Sequence, residues 1–263
     1  MSNGYAAAAR PVTSSAITTP DAGLIAGDIS IMDGDFPIPA YRAMPEAPGK
    51  YPVVVVIMEI FGLHEYIKDI CRRLAHLGYV GIAPDIYARK GDTSLLTDFD
   101  DIRKIVYGVP DAQIMADIDS TLNWAVRESR ADPNRAGITG FCWGGRITWL
   151  YAAYSDRVKA AVAWYGRLDG DHTAKQSQWP VDIAASIKCP VLGLYGGDDP
   201  AIPLDLVGHM TGELTKTDMR SQIVVYPNGP HGFHADYRPN YRSNLAKDGW
   251  KKLLDWFEDH GVK

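Results

Sequence analysis

A cysteine, an aspartate and a histidine occur in an order and a local context that suit nucleophilic chemistry. Gly140-Phe141-Cys142-Trp143-Gly144 has the form Gly-x-nucleophile-x-Gly. It lies between a strand-like run at 135–139 and a helix pattern that continues through Tyr154. A strand that turns sharply into a helix holds its nucleophile in a strained backbone conformation, which requires small flanking residues, and lifts the side chain above the sheet. The helix that starts there offers N–H groups and a positive dipole end, which favour both a thiolate and a developing oxyanion. Asp199 follows a strand-like run at 191–195, and His231 follows the last such run, at 222–226. Nucleophile, acid, histidine is the chain order of one class of hydrolytic triad. His231 would take the thiol proton, and Asp199 would orient the imidazole and stabilise its charged form. Asp198 is a competing acid. The stiff Pro200-Ala201-Ile202-Pro203 segment favours Asp199 and leaves Asp198 as a solvated turn residue. The plainer alternative is an inert buried thiol and a turn-capping histidine, and the strand–turn–helix context weighs against it.

Glu59 is the second informative position. It directly follows Val53-Val54-Val55-Val56-Ile57-Met58, an apolar run that suits a strand buried on both faces. A carboxylate at the end of such a strand is costly unless it is paired or functional. Its plain alternative is a structural ion pair with an arginine. The loop after that strand is also where a second oxyanion donor arises, so the backbone N–H groups of Ile60 and Trp143 are the expected oxyanion hole. Arg89 reads either as a substrate-anion ligand or as a surface arginine. His231 and His234 lack a third clustered ligand, so no metal is expected.

The elements that must position these groups alternate along the chain. Residues 29–32 and 38–42 read as an edge hairpin, 53–58 and 79–83 as strands, and 65–77 as an amphipathic helix stopped by Gly78. Residues 91–110 are polar and irregular. Helix patterns follow at 111–130, 204–214 and 242–260, with a strand at 158–164 and a loop at 165–179. Strand–helix alternation of this kind indicates an α/β protein with a mostly parallel sheet covered by helices. Residues 24–263 are expected to form a single domain, and the Ala-, Ser- and Thr-rich 1–23 a flexible arm.

Bulk composition narrows the function. Lys and Arg number 27 against 32 Asp and Glu, a net charge of -5, so the basic face that nucleic-acid binding needs is not expected. No stretch has the roughly 20 apolar residues of a membrane span. Cys71, Cys142 and Cys189 are too few and too scattered for a disulfide framework. A thiol nucleophile suits a reducing compartment, which points to the cytoplasm; export after loss of a signal peptide is the alternative.

Met58-Glu59-Ile60-Phe61-Gly62, Pro84-Asp85-Ile86-Tyr87-Ala88-Arg89, Gly140-Phe141-Cys142-Trp143-Gly144-Gly145, Tyr195-Gly196-Gly197-Asp198-Asp199 and His231-Gly232-Phe233 together resemble the dienelactone hydrolase family (carboxymethylenebutenolidases). The resemblance runs from about Gly27 to the end. It implies an α/β-hydrolase fold with an eight-stranded sheet, no cofactor, and hydrolysis of an enol lactone through a covalent acyl-enzyme. It also implies that Glu59 helps turn the Cys142 thiol into thiolate and that Arg89 binds the substrate carboxylate. Best-known members carry a second carboxylate-binding arginine four residues after the histidine, where this chain has Ala235; Arg238 and Arg242 are the nearby substitutes. Trp143 stands where the family often has a smaller residue. The competing functions are a broad carboxylesterase or thioesterase with another substrate, and a binding or sensor protein on a hydrolase fold. The expected partner is a small-molecule ester or lactone, and a monomer and a homodimer are both open.

Overall fold

The computed structural model describes residues 4–217 and 220–263. An eight-stranded sheet of order β1-β2-β4-β3-β5-β6-β7-β8 runs through the molecule. Its strands are β1 (Leu24–Asp33), β2 (Phe36–Pro45), β3 (Tyr51–Ile57), β4 (Val80–Pro84), β5 (Ala131–Phe141), β6 (Ala160–Trp164), β7 (Val191–Gly196) and β8 (Gln222–Tyr226). The β1–β2 hairpin forms one edge and pairs antiparallel to β4, and all later pairings are parallel. The helices are α1 (Glu65–His76), α2 (Phe99–Val106), α3 (Asp111–Glu128), α4 (Trp143–Tyr154), the short α5 (Pro180–Ile183), α6 (Leu204–Leu214) and α7 (Ser243–Asp259). No helix among the described residues is long and apolar enough to cross a membrane.

Burial explains why the central strands lack alternation. Val53 through Met58 are fully buried, as are Ala160 through Trp164, because helices cover both sheet faces. Each valine, isoleucine or methionine among them contributes about 1.5–3 kcal/mol relative to exposure, and the alanines less. Helix α2 falls in the segment 91–110 that reads as irregular. Asp98 caps it by accepting from the N–H groups of Asp100 and Asp101, while Ile102 and Val106 turn inward. Its length gives only a short hydrophobic period amid acidic residues, so the cap was the legible signal there.

The N-terminal segment corrects the expectation of a flexible arm over 1–23. Residues 1–3 lie outside the described residues, but from Gly4 onward the segment is laid against α1 and the loop after β8. The Gly4 carbonyl accepts from Glu65 N–H at 3.0 Å, and Thr13 N–H donates to the Tyr237 carbonyl at 3.1 Å. Thr13 and Ser15 hydroxyls donate to the Asp236 carbonyl, and Thr19 N–H donates to Asp69. Tyr5 and Ala6 are buried at 6% and 0% exposure. Composition alone hides this, because small hydroxyl residues that suit a free arm also suit close backbone-to-backbone docking. Tyr5→Ala is expected to destabilise the protein by about 3 kcal/mol, the cost of truncating a buried aromatic. An unchanged denaturation midpoint would show that the segment does not dock in solution.

Candidate active site

Sheet register assembles the site. Ile57 of β3 pairs with Gly140 of β5, so the residues two positions beyond each, Glu59 and Cys142, leave the sheet side by side. Phe141 pairs with Trp164 of β6, and Cys142 N–H donates to the Trp164 carbonyl at 3.0 Å. Strands β7 and β8 end together at Gly196 and Tyr226, and their following loops bring Asp199 to His231. All of these groups therefore lie beyond the carboxyl ends of parallel strands, where such sheets place their sites.

Cys142 has φ 56° and ψ -115°, a left-handed backbone that an L-residue adopts only under constraint. The constraint is close packing. A Cβ on Gly140 would lie 2.2 Å from the Gly144 carbonyl oxygen, and one on Gly144 would lie 2.3 Å from the Ile57 carbonyl oxygen. Only glycine fits at either place, and the chain has no room to relax the turn. Cys142 is partly exposed, whereas Cys71 and Cys189 are buried, their thiols pushed well up by desolvation, that of Cys189 to about 12. Trp143 is the first residue of α4, so its N–H has no acceptor within the helix. Ile60 lies in the β3–α1 loop.

His231 Nδ1–H donates to Asp199 Oδ2 at 2.7 Å. Asp199 is 4% exposed and also accepts from Ala201 N–H, while Asp198 is exposed and uses its N–H on the Gly229 carbonyl. Burial disfavours the charged imidazole. The neighbouring Cys142 sulfur and the Asp199 hydrogen bond outweigh it and raise His231 to about 10. The Tyr165 ring packs edge-on against His231 at 5.2 Å and fixes its plane. His234, three residues on, is a different kind of residue. It is buried among Phe141, Trp164 and Trp250, hydrogen-bonded to the Tyr66 hydroxyl, and held well below the ordinary imidazole range by desolvation.

Glu59 is fully buried. The Tyr237 hydroxyl donates to its Oε2, and His64 Nε2 stands 3.8 Å from the same oxygen, beyond hydrogen-bonding distance. Burial would raise this carboxyl. His64, the charge of Arg238 and the Tyr237 hydroxyl outweigh burial and hold it below its usual value. Its Oε1 has no partner.

These features are joined by a match along the chain: the sequence pattern of the dienelactone hydrolase family fits residues 38–261. The chain belongs to that family. It is 53% identical to a Methylorubrum extorquens protein named "Putative carboxymethylenebutenolidase", over 100% of this chain and 91% of that one. It is 48% identical to a protein of the same name from Escherichia coli K12, over 99% and 97%. The crystal structure of a protein from Klebsiella pneumoniae, described as a "Putative Dienelactone Hydrolase", superposes with a TM-score of 0.87 at 50% identity, covering 89% of this chain and 98% of that chain.

The dienelactone hydrolase family's carboxylate-binding arginines have no free counterpart at the matching positions. Arg89 is tied to Asp33 Oδ2 at 2.6 Å and Asp117 Oδ1 at 3.1 Å, with its guanidinium over Phe36. It is a structural cation between the edge hairpin and α3, and the expectation that it anchors substrate is not supported by this arrangement. Ala235 is buried. Arg242 donates to the Pro239 and Tyr241 carbonyls at the surface. Arg238 instead faces the site: its charge acts on Glu59 and Cys142, it lies over Phe61, and among the described residues it has no ion-pair partner. Sequence reading also missed His64, Tyr237 and the buried, unpartnered hydroxyls of Tyr87 and Tyr165, both near enough for Cys142 to act on them. Tyr87 lies inside the Pro84–Arg89 motif; the others carry no local signal.

The His231–Asp199 pair sets a pH dependence. His231 is raised from 6.5 to about 10 in the folded protein. Its stabilising contribution is fully present below about pH 6.5 and is lost as pH rises through about 10. Asp199→Asn should therefore destabilise the protein more at about pH 6 than at about pH 10.5. Equal losses in denaturant titrations at both pH values would contradict an imidazolium held by Asp199.

Proposed function

We propose that the chain hydrolyses a lactone or activated carboxylic ester of the dienelactone type through a cysteine nucleophile. The observation that carries this is the left-handed elbow at Cys142, with His231 bonded to Asp199 and near enough for the sulfur to act on its imidazole. His231 takes the thiol proton, and the thiolate sulfur attacks the carbonyl carbon. The carbonyl oxygen becomes an oxyanion held by the N–H groups of Ile60 and Trp143. Collapse expels an enolate or alkoxide, which takes the proton from His231 and leaves a thioester on Cys142. Water, losing a proton to His231, then attacks the thioester; the carboxylic acid departs and the thiol is restored.

Glu59 and Arg238 set the charge around the sulfur. The Glu59 carboxylate, bonded by the Tyr237 hydroxyl and balanced by Arg238, keeps that cation beside Cys142 while His231 takes the thiol proton. Arg238 stabilises the thiolate that results. An enol-lactone leaving group suits this arrangement, because an enolate departs more readily than a simple alkoxide and a thiolate need not be a strong base. Tying up Arg89 weakens the family's case for a substrate carboxylate close to the scissile bond, so a broader esterase on neutral activated esters is the second reading.

The deciding experiment is hydrolysis of dienelactone beside p-nitrophenyl acetate, with wild type and variants in parallel. Cys142→Ala and His231→Ala should each lower kcat by about 10³-fold or more. Glu59→Gln should lower kcat/KM by about tenfold to a hundredfold while the fold is kept. Near-wild-type turnover by Cys142→Ala would remove the nucleophile assignment. Cys142-dependent turnover of the aryl ester alone would leave the mechanism and discard the dienelactone-type substrate.

A further inference from the structure

A cavity of about 470 Å³ lies beside the elbow rather than over it. Tyr107, Arg167, Asp171, Lys175, Gln176 and Trp179 line it, and Cys142 does not. One side chain joins the two places. The ring of Trp143, the residue after the nucleophile, meets Tyr107 edge-on at 5.1 Å and Trp179 at 6.1 Å. On another side, Arg167 comes two residues after Tyr165, whose ring packs on His231.

The wall between elbow and cavity is rigid. Arg146, fully buried, makes two parallel bonds to Asp111 at 2.7 Å and a third to the Gln178 carbonyl at 2.8 Å. Its guanidinium sits between the rings of Trp143 and Trp179, at 4.6 and 4.3 Å. Gln176 is anchored on the Val109 carbonyl. A charged group this deep is a costly way to hold two indoles apart unless their spacing matters. The indole N–H of Trp143 is buried and has no acceptor.

The cavity's chemistry is aromatic and cationic. Tyr107 and Trp179 offer ring surface, and the Arg167 guanidinium lies 5.5 Å from the Trp179 ring. Arg167 and Lys175 have no ion-pair partner among the described residues, and Asp171 is the one carboxylate on the wall. The volume is in the range of small-molecule sites and exceeds what a monocyclic lactone fills.

We propose that this cavity is a second substrate subsite, taking a planar aromatic or conjugated carboxylate that extends from the scissile ester. Its ring lies against Tyr107 and Trp179 and its carboxylate meets Arg167 and Lys175. The anion recognition that Arg89 and Ala235 do not supply thus moves across Trp143 to the loop after β6. The link to ester cleavage rests on Cys142 as nucleophile; ligand binding by the cavity does not.

Calorimetric titration with 2-naphthoate, beside the neutral 2-naphthamide, tests this on the full chain. Tyr107 and Arg167 are exposed, so Tyr107→Ala and Arg167→Gln should fold normally. One saturable site for naphthoate is expected, weakened about tenfold by either change, with the amide bound less tightly than the acid. Cys142→Ala should bind like wild type, so a failed nucleophile assignment would leave this result standing. No saturable binding at millimolar concentration would overturn the proposal. So would binding undiminished in both variants, or binding lost only in Arg238→Gln, which would put the anion beside Cys142.

Discussion

The backbone at Cys142 cannot relax, and much of the site follows from that. A left-handed residue between a buried strand and a buried helix persists only when its surroundings over-determine it. Here the surroundings are carbonyl oxygens of β3 and of α4's first turn, packed so closely that Gly140 and Gly144 can carry no side chain. The strain keeps the sulfur above the sheet and aims the first N–H groups of α4 at the space beside it. Relieving the turn would move the Cys142 sulfur and the Trp143 N–H together, because the two residues are consecutive.

The same parallel sheet brings in the remaining groups without any local signal. Glu59 stands beside Cys142 because β3 and β5 are neighbours in a given register, although they lie far apart in sequence. Asp199 and His231 meet because β7 and β8 end level. Charge then has to be balanced in a dry place. Glu59 stays ionised only because Tyr237, His64 and Arg238 surround it, and two of those sit on the loop after β8 that the N-terminal segment ties down. Docking of Tyr5 against His64 and Tyr237 thus belongs to the electrostatics of the site as well as to stability. It keeps water from a carboxylate whose charge is set by its neighbours.

What the sequence shows well is what depends on short-range chemistry. The elbow needs glycines two residues either side of the cysteine, so it can be read from five letters. The valine run of β3 and the amphipathic helices follow from burial on two faces or one. The eight-stranded α/β sheet and the family came from such motifs taken in order, and both stand. What it hides depends on long-range meeting. Arg89 carries the family motif, yet Asp33 from the edge hairpin and Asp117 from α3 take up its charge. No spacing rule couples positions that distant. Arg238 was only one of two nearby arginines until the loop after β8 turned it inward and left Arg242 on the surface.

Arg89 also shows why a matched residue need not carry its role with it. A guanidinium that binds substrate must be free in the resting protein, or its partner must be displaced at a cost comparable to the binding gained. Two carboxylates hold Arg89, one of them on α3 almost fully buried, so a substrate anion would have to compete with fixed charges that lose little entropy in staying. Cations with no fixed partner are better placed, and around Cys142 these are Arg238 on one side and Arg167 with Lys175 on the other. Arg238 is already engaged by the field of Glu59 and the sulfur. The other two face an open cavity with aromatic walls, so recognition of an anionic substrate is cheapest there, in a place set by the loop after β6 rather than by the family motifs.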